Sequence, residues 1–129
     1  MNGVKPLANA PRTWAVPIEE TLSLLHEREA RKWTMGLQRA TRIRTRLQDA
    51  RQLLCERGAS RVRVFGSLAT GGFSEGSDVD LAVWDLPPRS QFRCMADLAT
   101  LLDATVDLIL WEDAPQSLRD RILAEGWDP

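Results

Sequence analysis

RVRVFGSLATGGFSEGSDVD, residues 61–80, is the stretch that decides the fold of this chain. Its first five residues alternate basic and apolar side chains, the period-two pattern of a half-buried strand, and the alternation breaks at Gly66-Ser67. Glycine at 66 lets the backbone turn sharply and approach a ligand without a Cβ in the way, while Ser67 adds a hydroxyl and an exposed amide. A strand that ends in this way is able to grip phosphate oxygens. Gly71, Gly72 and Gly76 then punctuate a short connection, and SDVDLAVW, residues 77–84, reads as a second strand with Asp78 and Asp80 near its start. Residues two apart on a strand project from one face. Their carboxylates, roughly 7 Å apart at the Cα atoms, repel by about 2 kcal/mol at an effective dielectric near 20. Magnesium turns that repulsion into coordination, because it takes hard oxygen ligands and is often held by one or two carboxylates together with substrate phosphates. The spacing therefore predicts a site for a metal-bound nucleoside triphosphate. The competing reading is a solvated, glycine-rich hairpin connection, against which the fixed spacing and a third acid both weigh.

That third acid is Asp107. In ATVDLILW, residues 104–111, an apolar run marks a buried strand, and Asp107 is the one charge inside it. A carboxylate among Val, Leu and Ile needs a partner or a metal, unless the strand lies at a sheet edge and turns it to water. Together with Asp78 and Asp80 it would complete a three-carboxylate site. Two metals in such a site stabilise both the attacking and the leaving oxygens of an in-line displacement at phosphorus.

Gly-Ser, ten intervening residues, Asp-Val-Asp and a later strand with a lone Asp closely resemble the DNA polymerase β type nucleotidyltransferase superfamily, specifically its minimal nucleotidyltransferases. The resemblance covers roughly the last 70 residues, from the strand at Arg61 through PQSLRDRILAEG. It implies that Gly66, Ser67 and Ser77 bind the nucleotide, that Asp78, Asp80 and Asp107 hold Mg²⁺, and that Asp107 helps to activate an acceptor hydroxyl. Many relatives carry arginines directly after the Gly-Ser pair, where this chain has Leu68 and Thr70. Stand-alone minimal nucleotidyltransferases also resemble the antitoxin half of two-component toxin–antitoxin pairs. That likeness implies AMP transfer from ATP to a tyrosine of a separate HEPN-type toxin. Two rival readings are an antibiotic-type enzyme acting on small molecules and a catalytically silent binding module with the same fold.

At 129 residues the chain is expected to form one modest core without a second, substrate-binding domain. No apolar run is long enough to span a bilayer, and residues 1–17, read as a flexible segment, lack an apolar signal core, so a cytoplasmic protein is expected. Cys55 and Cys94 have neither disulfide density nor metal-ligand spacing and are expected to be reduced thiols. His26 stands alone in a charged helical stretch, which argues against histidine-based catalysis.

The net charge of −1 conceals an asymmetry. Residues 28–63 hold eleven basic and three acidic side chains, whereas residues 64–129 hold four basic and twelve acidic ones. The basic part is predicted to be a long amphipathic helix over 18–57, with Pro17 before it, Glu19 and Glu20 at the positive end of its dipole, and Gly58 as its stop. The nucleotidyltransferase core then occupies 58–129. Leu22, Leu25, Trp33, Leu37, Ala40, Ile43, Leu47, Ala50 and Leu54 recur at three-four spacing, and Gly36 marks a candidate bend. A core this small would leave the first half of the helix overhanging, which predicts a homo-oligomer through that arm. The basic face reads as a solvated surface balancing the acidic core, or as a docking surface for an acidic partner protein. Nucleic acid is a further candidate that is not favoured, because no aromatic platform or recognition motif accompanies the charge.

Alternation places Trp84 on the side of Asp80 and Trp111 on the side of Asp107, to be covered by the long helix or a packing partner, or else to stack on a base. Residues 91–103 read as an amphipathic helix with Phe92, Met95, Leu98, Leu101 and Leu102 inward, and Pro115 opens a last helix with Leu118, Ile122 and Leu123 inward. The order predicts an α/β (α+β) nucleotidyltransferase fold, a small mixed β-sheet packed by helices after a long N-terminal helix.

Overall fold

The computed structural model describes residues 18–129. The segment 1–17, expected to be flexible, lies outside the described residues. The described residues begin with α1 (Ile18–Thr45) and α2 (Leu47–Glu56), followed by β1 (Arg61–Phe65) and a single-turn helix α3 (Ser67–Thr70). Then come β2 (Val79–Trp84), α4 (Gln91–Leu102), β3 (Val106–Leu110) and α5 (Gln116–Glu125), with 3₁₀ turns before α4 and after β3.

The sheet is mixed, in the order β1-β2-β3, with β1 antiparallel and β3 parallel to β2. Its inner face is continuous hydrocarbon, with Val62, Val64, Val79, Leu81, Val83, Val106, Leu108 and Leu110 all buried. Ala40, Ile43, Leu47, Ala50 and Leu54 of the first two helices, and Cys94, Leu98 and Leu102 of α4, cover that face in one shared core. The connection 66–78, with its single helical turn, joins the antiparallel neighbours β1 and β2, whereas the parallel pair needs a crossover, which α4 supplies. Trp127 pairs with Val64 through two backbone hydrogen bonds of 2.9 and 3.0 Å and so protects the outer edge of β1.

The helical arm differs from its expected form at one point. The interruption falls at Arg46, with φ −105° and ψ 0°, where its N–H donates to the Ile43 carbonyl at 2.9 Å. The helix runs unbroken through Gly36, because that residue serves close approach instead of bending. A Cβ there would lie 2.8 Å from the carbonyl oxygen of Phe73 and 2.8 Å from the Cα of Ser74. Two inward assignments are corrected as well. Phe92 is 77% exposed and Leu123 48% exposed, because the buried line of α4 runs Cys94, Leu98, Leu102, and α5 turns Ile122 inward. Upstream of Gly36, Leu22, Leu25 and Trp33 remain exposed, as does Leu37 just beyond it. Cys55 and Cys94 are both free thiols.

Candidate active site

The strand ends bring the predicted carboxylates together. Because β1 runs antiparallel to β2, its last residue Phe65 pairs with Asp80, and because β3 runs parallel, Asp107 pairs with Asp80 from the other side. Asp80 therefore sits mid-sheet, half-buried, while Asp78 just before the strand and Asp107 beside it are exposed. Directly after Phe65 the chain turns through Gly66 at φ +70°, and a Cβ there would collide with the Asp80 carboxylate. Glycine is required twice over, by its backbone conformation and by the carboxylate packed against it. Ser67 opens α3, whose first amides lack intrahelical acceptors by helix geometry. The Ser77 hydroxyl accepts the Ser74 N–H at 2.9 Å, and the Ser77 N–H donates to the Ser74 carbonyl at 3.1 Å. Ser77 thus closes the turn that delivers the chain to Asp78.

The electrostatics follow from this packing. Burial, and next the Asp107 charge, push the Asp80 carboxyl up from 3.8 to about 6. Arg121 opposes the shift, and Asp78 and Glu125 add to it. Such a carboxylate gains from a cation. Among the described residues no three His, Cys, Asp or Glu side chains close into a ligand set by themselves. Magnesium does not require one, since it keeps waters and takes substrate phosphates beside one or two carboxylates. An open group of carboxylates beside a Cβ-free backbone turn fits Mg²⁺ with a phosphate ligand.

Several residues at the site had no reading in the sequence as parts of it. Arg44 donates to the Leu68 carbonyl at 2.9 Å, and Arg39 donates to the Glu75 carbonyl while lying 5.6 Å from the Phe73 ring centroid. Two arginines of α1 thus hold the 66–77 connection from beneath. Leu68 is buried in the core. On the face that carries the carboxylates, Trp84 and Trp111 stack on one another at 4.7 Å and pack with Leu118 against a small cluster of Phe65, Ala82 and Ile122. Their cover is α5 and the flanking Arg61 and Arg119, not the long helix. Arg121 and Glu125, whose charges act on Asp80, were missed as well; they share a face of α5 with Leu118 and Ile122 at three-four spacing, a signal that could have found them.

A strand, a glycine turn and carboxylates paired across neighbouring strands make a candidate site of the nucleotidyltransferase kind. The Polymerase beta nucleotidyltransferase family model matches residues 48–127, and the chain belongs to that family. A solved structure assigned as a minimal nucleotidyltransferase is 33% identical with a TM-score of 0.63, over 68% of this chain and 93% of that one. The crystal structure of a toxin–antitoxin with AMP-PNP is 27% identical with a TM-score of 0.55, over 60% of this chain. A mutant of the toxin–antitoxin MntA-HpeT is 26% identical with a TM-score of 0.54 over the same share. This chain spans 66% of the length of each of these two, slightly under two thirds. No curated protein sequence matches the chain. No described helix is long and apolar enough to cross a membrane.

Proposed function

We propose that the protein is an Mg²⁺-dependent adenylyltransferase that moves AMP from ATP to a hydroxyl of a separate HEPN-type toxin, expected to be a tyrosine hydroxyl, and so acts as an antitoxin in the cytosol. The observation that carries the reading is the register of Asp80 with Asp107, beside a Gly66 turn that has no room for a Cβ. Likeness to a toxin–antitoxin crystallised with AMP-PNP supports both the nucleotide and the partner.

Asp78 and Asp80, with Asp107, would hold the metal, which when bound supplies charge neutralisation at the α-phosphate and the departing pyrophosphate. Gly66 and Ser67 bind the phosphates through backbone amides, the Ser67 hydroxyl adds a polar contact, and Ser77 shapes the loop edge. Asp107, exposed at the rim, orients the acceptor hydroxyl and takes its proton. The acceptor oxygen forms a bond to the α-phosphorus, the bond to the bridging oxygen of pyrophosphate breaks, and the proton passes through Asp107 to solvent. The test is incubation with α-labelled ATP, Mg²⁺ and a purified HEPN-type toxin. Label should appear on the toxin and be lost with Asp107→Asn. Nucleotide binding without label on the toxin would overturn the acceptor, and label on small hydroxyl compounds would favour the antibiotic-type enzyme.

The exposed stripe of α1, with Leu22, Leu24, Leu25, Trp33, Met35 and Leu37, supports self-association through that arm. A strictly monomeric species in light scattering at tens of micromolar would overturn it.

A further inference from the structure

A nucleoside triphosphate brings several negative charges, yet the connection 66–77 contains no Lys or Arg and one acid, Glu75. The compensating side chain must come from another element. Most arginines around the site are already committed. Arg39 and Arg44 donate to loop carbonyls from beneath. Arg63 donates to the carbonyls of Ile122, Leu123 and Gly126 and to Asp128. Arg119 donates to the carbonyls of Trp111 and Glu112.

Arg121 is placed differently. Its guanidinium lies 5.8 Å from the centroid of the Phe65 ring, the residue directly before Gly66 and in register with Asp80. Its charge also acts on the Asp80 carboxyl. Nε reaches both carboxylate oxygens of Glu125 at 3.2 Å, and among the described residues the two terminal nitrogens have no hydrogen-bond partner. An exposed pair one helical turn apart is weak and is easily exchanged. A guanidinium fork matches phosphate oxygens two at a time.

We propose that Arg121 of α5 is the cationic side chain that binds the phosphates of the incoming nucleotide, leaving Glu125 to do so. The proposal rests on the nucleotide-binding reading above and assigns that role to the last helix instead of the glycine turn. It predicts that wild-type full-length protein binds a nonhydrolysable ATP analogue with Mg²⁺, that Arg121→Ala weakens this by about tenfold or more, and that Arg121→Lys lies between. Arg121→Gln keeps a polar stem over Phe65 and should behave like the alanine variant, with an unchanged melting temperature. Wild-type binding matched by both Arg121→Ala and Arg121→Gln would overturn the proposal alone. Absence of binding by the wild type would overturn the nucleotide reading and this proposal with it.

Discussion

β2 carries Val79, Leu81 and Val83 on one face of the sheet and Asp80, Ala82 and Trp84 on the other, and the two faces are built differently. The first face is wholly apolar and lies under α1, α2 and α4. The second is covered only in part, by α5 and the stacked tryptophans, and ends in carboxylates at the strand starts. A single alternation separates the main core from the carboxylates. The inner face gains from hydrocarbon burial, whereas the outer one holds a half-buried carboxylate whose charge is disfavoured until a cation arrives.

Substitutions on the two faces should therefore fail in opposite ways. Asp78→Asn with Asp80→Asn should lower AMP transfer by about a hundredfold or more, in a radiolabel assay, while the protein melts no lower than wild type at neutral pH. Leu81→Ala should do the reverse, costing about 2–5 kcal/mol in urea unfolding with transfer per folded molecule unchanged. Gly66→Ala joins the two effects. It forces a Cβ into the Asp80 carboxylate at a positive φ, and should cost about 1–3 kcal/mol of stability and abolish analogue binding. Asp78→Asn with Asp80→Asn destabilising like Leu81→Ala, with transfer intact, would break the comparison.

A smaller effect is in the pH dependence. The Asp80 carboxyl titrates near 6 when folded against 3.8 ordinarily, so the folded protein holds this proton more tightly than the unfolded chain does. The associated stability is present in full below pH 3.8 and is lost as pH rises through about 6. In chelator, melting temperature should decline across that window, and Asp80→Asn should flatten the profile. Saturating Mg²⁺ with nucleotide should restore stability at neutral pH.

The face that carries the carboxylates was legible because strands have a period of two. RVRVFGS, DVD and the lone Asp107 fixed which residues would share a side, and the register puts Asp80 and Asp107 opposite one another. The separation of Trp84 and Trp111 from the inner core followed from the same rule. Residues that reach the site from a distance carried no such local signal. Arg44 meets Leu68 across 24 positions and Arg39 meets Glu75 across 36. Gly36 looked like a hinge because glycine weakens a helix, yet the 73–74 backbone packs on it and the break lies at Arg46. Phe92 fits the three-four pattern of α4, but the fully buried line of that helix is Cys94, Leu98 and Leu102, with Met95, Ala99 and Leu101 partly buried beside it.

The most direct measurement is calorimetric titration of the full chain with a nonhydrolysable ATP analogue, with and without Mg²⁺, beside the Asp78→Asn, Asp80→Asn double variant. Binding should require Mg²⁺ and disappear in the folded variant. Equal binding by wild type and variant, or none by well-folded wild type, would contradict a metal-bound nucleotide site.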